Sequence, residues 1–149
     1  MLAQIGDARA CGVVLDYDGT LCDRRRRFDP LDDAIAAALR AILDAGAIVG
    51  IATGRGRSAG TELERVLPRD TWARVLIGYY NGAVIHPLGR APTDTDADET
   101  GTKIAERLKK WFPRASVEAR RWQVSAEGFR HGRLPAIAHT ASRLLAEEG

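Results

Sequence analysis

Lysine is nearly absent from this 149-residue chain: Lys103, Lys109 and Lys110 are the only ones, so arginine carries almost all of the positive charge. A charge excess is lacking as well. Lys plus Arg comes to 22 against 20 for Asp plus Glu, a net charge of +2, too small to draw the chain onto nucleic acid by charge alone. Cysteine is limited to Cys11 and Cys22, with no CxxC spacing between them, which excludes a zinc ribbon and a disulfide scaffold. These two read as buried or half-buried thiols in a reducing compartment. No apolar run approaches the roughly 20 residues that span a bilayer. The opening MLAQIGDARACG also lacks a basic-then-apolar signal pattern. The expectation is a cytoplasmic protein with neither a membrane nor a nucleic acid among its partners.

What the chain does have is enough apolar residues, 45% of the total, to build an ordinary core. Residues 11–17 (CGVVLDY) form a short, nearly continuous apolar run and read as a buried strand. Residues 30–45 (PLDDAIAAALRAILDA) read as a helix, with Asp29 as N-cap, Pro30 in the first turn, and Ile35, Leu39, Ile42 and Leu43 on one face. Gly46 is its stop. A second buried strand follows at 47–53 (AIVGIAT), then a turn and helix over 54–67, then a third strand at 74–78 (RVLIG). Asn81-Gly82, between two β-prone pairs, predicts a tight hairpin. Strand, helix, strand, helix, strand is the order of a parallel α/β sheet with right-handed crossovers. Composition changes at 89–102 (GRAPTDTDADETGT), which has no large apolar side chain and reads as a linker. A helix over 102–112, a long strand or hairpin over 115–128 and a last helix over 134–149 complete the chain. The division expected is therefore 1–88 and 89–149.

In an open parallel sheet, ligands bind beyond the carboxyl ends of the strands. Here the first strand ends in Asp16-Tyr17-Asp18 and the second in Thr53-Gly54-Arg55. Carboxylates at such a crevice suit a hard cation such as Mg²⁺. Gly19 permits a sharp bend, Thr20 and Thr53 offer hydroxyls, and nearby backbone N–H groups suit phosphate oxygens. A lone Asp at a strand end is usually a turn residue; the weight lies in DxDGTL after one apolar strand and TGR after the next.

Those motifs resemble a known family. DYDGTL at 16–21 and IATGR at 51–55 are similar to the first two motifs of the haloacid dehalogenase (HAD) superfamily. YYNGAVI at 79–85 resembles the corresponding segment of its Cof-type, sucrose-phosphatase-like branch. The resemblance implies a HAD-like Rossmannoid parallel sheet in a three-layer α/β/α arrangement, followed by a partial α/β cap segment. It implies a Mg²⁺-dependent phosphohydrolase of a small phosphorylated metabolite, with sugar phosphates among the candidates, working through an aspartyl-phosphate. Asp16 would be the nucleophile and Asp18 the general acid and base. The Asp16 carboxylate and the Asp18 carbonyl would hold Mg²⁺, making Asp16 and Asp18 the metal residues. Gly19, Thr20, Thr53, Gly54, Arg55, Asn81 and Gly82 would serve the phosphate.

Two further motifs of that family have no counterpart here. One is a lysine beside the nucleophile; the three lysines all fall on the helix expected at 102–112. The other is an acidic pair after a fourth strand, and the last aspartate is Asp98. The chain therefore reads as the N-terminal part of a longer protein or a naturally short relative. A complementing C-terminal polypeptide or a second copy of the chain would be its partner. A non-catalytic phosphate- or metal-binding module is the alternative function.

Other patterns carry less. TDTDADETG fails the calcium-loop pattern, with Glu99 where a glycine belongs and Ala105 where a glutamate belongs. Gly54-x-Gly56 opening a helix resembles a dinucleotide loop, but the acidic residue expected about twenty positions on is missing from 76–80. Arg24 to Arg27 read as a solvated flap, His86, His131 and His139 as surface or packing residues, and Trp111 and Trp122 as core of the tail.

Overall fold

The computed structural model describes residues 11–23, 25, 29–93 and 97–128, together with positions 138, 139, 142, 143, 146 and 147. Most of the helix expected over 134–149, His131, and three of the four arginines at 24–27 lie outside the described residues. The chain divides into two compact units, Met1–Thr93 and Asp94–Gly149.

The first unit is a four-stranded sheet in the order β1 (Gly12–Asp16), β2 (Ile48–Ala52), β3 (Val75–Tyr79), β4 (Val84–Pro87). The first three strands are parallel, Leu15 lying opposite Ile51 and Ile51 opposite Ile77. β4 runs antiparallel to β3, with Tyr79 opposite Val84. Helices α1 (Asp33–Asp44) and α2 (Arg57–Val66) form the two crossovers. The architecture is the α/β sheet that the alternating pattern implies. The cap of α1 falls later than Asp29. Asp32 is the N-cap because its carboxylate accepts the Ala34 N–H at 2.8 Å, satisfying a donor that the first turn leaves open. Gly46 ends the helix at φ +86° and donates to the Leu43 carbonyl. Arg74 donates from Nη1 to that same carbonyl and, at 3.4 Å, to Ala47.

One face of the sheet carries the core. Val49, Ile51, Val75 and Ile77 pack with Ala36, Leu39 and Leu43 of α1 and Ala59 and Leu63 of α2. The alternate positions form the other face, and no helix of this unit's described residues covers it. Val14 is 77% exposed and Ile85 65%, with Ile48 and Leu76 also open. The expectation of a strand buried on both sides at 11–17 is corrected here: β1 is an edge strand with one face in solvent. Cys11 is likewise exposed rather than buried, while Cys22 is buried. The cause is the order of the strands. Right-handed crossovers that add strands always in the same direction, 1 to 2 to 3, put both helices on the same side.

In the second unit, α3 (Glu99–Trp111) packs on a hairpin of β5 (Ser116–Arg120) and β6 (Gln123–Glu127). The helix starts three residues earlier than expected because Asp98, inside the apparent linker, caps it by accepting the Gly101 N–H at 2.8 Å. Ala105 and Leu108 are buried. Trp111 and Trp122 are exposed rather than core, at 49% and 40%: two five-residue strands give a narrow platform, and Trp122 takes the Arg121 guanidinium over its ring instead. Among the described residues, no helix is long and apolar enough to cross a membrane.

Candidate functional site

The carboxyl ends of β1, β2 and β3 meet, as their parallel register requires. The ladder runs on past the strands: Tyr17 N–H donates to Ala52 O at 2.9 Å and Thr53 N–H to Gly78 O at 3.0 Å. Beyond β1 the chain folds into a closed turn. Gly19, at φ +102°, donates to Cys22 O at 2.7 Å, and Leu21 and Cys22 donate back to Tyr17 O. Only glycine adopts such a φ at low cost. Beyond β3, Tyr80, Asn81 and Gly82 are all left-handed, at φ +52°, +58° and +89°. A bulky residue there is strained. Two hydrogen bonds hold the turn: Tyr80 N–H to Arg55 O at 3.1 Å and Asn81 N–H to Thr53 O at 2.9 Å. The expected hairpin between β3 and β4 forms around it.

The glycines after β2 serve this packing. The Tyr80 hydroxyl sits where a side chain on Gly56 would be, and the Tyr79 hydroxyl where one on Gly60 would be. A Cβ on Gly54 would lie 3.2 Å from the Asn81 Oδ1. That accounts for the glycine spacing that resembles a dinucleotide loop.

A cavity of about 490 Å³ opens at the strand ends and continues onto the uncovered sheet face. Asp16, Thr53, Gly54, Asn81 and Gly82 line it, beside Val14, Leu76 and Ile85. Asp16 is exposed and has no side-chain partner among the described residues. Asp18 does not line the cavity but is joined to it through Thr53, whose Oγ1 donates to Asp18 Oδ2 at 3.2 Å. The Thr53 Oγ1 in turn accepts the Arg55 N–H at 3.0 Å. Gly19 and Thr20, in the turn, line no part of the cavity, and Thr20 is exposed. The backbone N–H groups of Tyr80 and Asn81 are already committed to carbonyls. Arg55 faces Asp18: its Nε lies 2.8 Å and its Nη2 2.7 Å from Asp18 Oδ1. The same guanidinium lies 4.9 Å from the Tyr17 ring centroid and donates to Cys22 Sγ at 3.5 Å. Sequence reasoning missed this grouping of Tyr17, Cys22 and Arg55, since no spacing links residues brought together by strand pairing. Burial pushes the Tyr17 hydroxyl up to about 12, against the lowering effect of the Arg55 charge.

Residues 13–118 match the family model for haloacid dehalogenase-like hydrolases, and the chain belongs to that family. Among solved structures, it is similar to a HAD-superfamily phosphatase from Bacteroides thetaiotaomicron, at 20% identity and TM-score 0.54, over 92% of this chain and 48% of that one. It is also similar to a HAD subclass IIB sugar phosphatase, at 16% identity and TM-score 0.52, over 88% of this chain and 49% of that one. With the ATP-bound IMP-nucleotidase of Plasmodium falciparum it shares 12% identity and a TM-score of 0.59, over 94% of this chain and 42% of that one. At such identities the likeness is one of fold. The chain spans about half the length of these structures or slightly less. A search of curated proteins finds no match.

The donor set fits Mg²⁺ in part. Mg²⁺ needs few protein oxygens and keeps waters and substrate phosphate for the rest. The Asp16 carboxylate, open in the cavity, is an oxygen donor of that kind. The described residues contain no group of three or more His, Cys, Asp or Glu side chains placed for a metal, so a cage made by protein side chains alone is not formed there.

Proposed function

We propose that this chain carries the nucleophile half of a Mg²⁺-dependent phosphatase site, acting in the cytoplasm on a small phosphorylated metabolite. The observation that carries the reading is Asp16: an exposed carboxylate at the end of β1, without a side-chain partner among the described residues, in one cavity with Thr53, Gly54, Asn81 and Gly82. A carboxylate with no competing partner is available to attack phosphorus. In the first step an Asp16 oxygen bonds to phosphorus, the ester P–O bond breaks, and the leaving oxygen takes a proton from Asp18. In the second step water attacks phosphorus, Asp18 accepts its proton, and the Asp16–phosphorus bond breaks to free phosphate. The Thr53 hydroxyl and Arg55 guanidinium both donate to Asp18 and hold its carboxylate beside the cavity. Bound Mg²⁺ would supply positive charge to offset the phosphoryl oxygens; the Asp16 carboxylate and the Asp18 carbonyl are its candidate ligands. Gly19, at φ +102°, gives the turn its shape. The fold likeness to phosphatases supports this class of reaction, and small phosphorylated compounds are the substrates it suggests.

The test is release of phosphate from an aryl phosphate with and without Mg²⁺. Mg²⁺-dependent turnover that falls at least about a thousandfold in Asp16→Asn is the expected result. Equal rates in wild type and Asp16→Asn would sink the reading.

One observation favours a second reading, a non-catalytic phosphate- or metal-binding module. The described residues contain no group of three or more metal-ligating side chains, and Asp18 is already bound by Arg55. Phosphate binding without turnover, in wild-type protein, would support it.

A further inference from the structure

Asp16 and Asp18 are two residues apart, yet their carboxylates have very different surroundings. Asp16 stands open in the cavity. Asp18 has both oxygens engaged, Oδ1 by the Nε and Nη2 of Arg55 and Oδ2 by the Thr53 hydroxyl. Arg55 is itself fixed from several sides. Its main-chain N–H is on Thr53 Oγ1 and its carbonyl on Tyr80 N–H. Its guanidinium is stacked on Tyr17 and reaches Cys22. Its side chain is only 10% exposed, against 30% for Asp18. A guanidinium keeps its charge at any working pH, and a fork with this many contacts does not swing away cheaply. A divalent cation approaching the Asp18 carboxylate would therefore meet a fixed positive charge on the same oxygen.

We propose that Arg55 is a positioning residue that withholds the Asp18 carboxylate from divalent cations, leaving Asp16, among the described residues at the strand ends, as the side-chain carboxylate open to a metal. This deepens the phosphatase reading and rests on it for the choice of Mg²⁺. Arg55 thereby gives two neighbouring acids different surroundings, one open to the cavity and the other held by a fixed guanidinium. Sequence spacing treats the two alike; the ion pair does not.

The test is cation binding to the whole chain, by Mg²⁺ calorimetry and by Mn²⁺ electron paramagnetic resonance. Arg55→Gln is expected to tighten binding about tenfold, because it frees a carboxylate and removes a like charge. Arg55→Lys keeps the charge and is expected to stay near wild type. The double variant Arg55→Gln with Asp18→Asn loses the gain. Asp18→Asn alone stays within about twofold of wild type, whereas Asp16→Asn weakens binding at least about tenfold. Wild-type binding too weak to measure, with binding gained in Arg55→Gln, also supports the assignment. Binding in Arg55→Gln equal to or weaker than wild type overturns it, as does an Asp18→Asn loss matching that of Asp16→Asn. No binding in either wild type or Arg55→Gln overturns it too. If Arg55→Gln fails to fold by circular dichroism, Arg55→Met, which keeps an apolar stem over the Tyr17 ring, takes its place with the same supporting and overturning outcomes. Failure of phosphate release with these affinities as expected would sink the phosphatase reading and leave Arg55 in its role.

Discussion

The two faces of the first unit's sheet are built from the same kinds of residue and have opposite fates. Val49, Ile51, Val75 and Ile77 lie under α1 and α2 and are buried, while Val14, Ile48, Leu76 and Ile85 on the reverse side stay exposed. Hydrophobicity does not distinguish them; connectivity does, because both crossovers return on the same side. The candidate site lies at the border of the two faces. Asp16 belongs to the uncovered side, in line with Gly12 and Val14, whereas Tyr17 turns into the core.

The comparison can be broken most directly by truncating one leucine on each side. Leu39→Ala, in the covered core, is expected to cost about 2–5 kcal/mol, and Leu76→Ala, on the open face, less than about 1 kcal/mol. Urea unfolding measures both, and similar losses would mean that the open face is covered in solution. Alkali gives a second test. Tyr17 and Tyr79 on the covered side are both pushed up to about 12 by burial, above the ordinary value near 10. The folded state therefore keeps protons that the unfolded chain gives up, so stability is full below about pH 10 and falls between about pH 10 and 12. Unfolding followed across that range, with tyrosinate absorbance at 295 nm, should show these rings ionising together with loss of structure. Smaller again is Gly60→Ala, which sets a methyl against the buried Tyr79 hydroxyl and is expected to cost about 1–3 kcal/mol in thermal or urea melts. The smallest effect belongs to Val14→Thr on the open face, within about 0.5 kcal/mol of wild type. A larger loss in that melt would show that Val14 is packed against something in solution.

Much of the first unit was legible in the chain. The apolar runs ending in Asp16 and Thr53, the helix stop at Gly46 and the turn at Asn81-Gly82 all follow from local chemistry, and each is where that chemistry places it. Boundaries were less legible where several acids compete for one cap: Asp29, Asp32 and Asp33 all suit an N-terminus, and Asp32 alone accepts the Ala34 N–H. The linker reading of 89–102 concealed a second cap, Asp98, for the same reason. In the second unit the tryptophans looked like core because indoles usually are, yet a single short hairpin beneath α3 leaves Trp111 and Trp122 in solvent. At the site, the motifs pointed to Asp16, Asp18, Gly19, Thr20, Thr53, Gly54, Arg55, Asn81 and Gly82, of which Gly19 and Thr20 line no part of the cavity. They gave no sign that the Arg55 guanidinium faces Asp18.

By itself, then, the sequence determined the order of strands and helices, the strand ends where polar residues collect, and the family, because these depend on short-range pattern and on motifs read along the chain. The tertiary structure decided which face of the sheet is covered and which of two neighbouring aspartates stands open. Those outcomes depend on crossover handedness and on contacts such as Arg55 to Asp18, 37 positions apart in the chain, which come together only once β1 and β2 are paired.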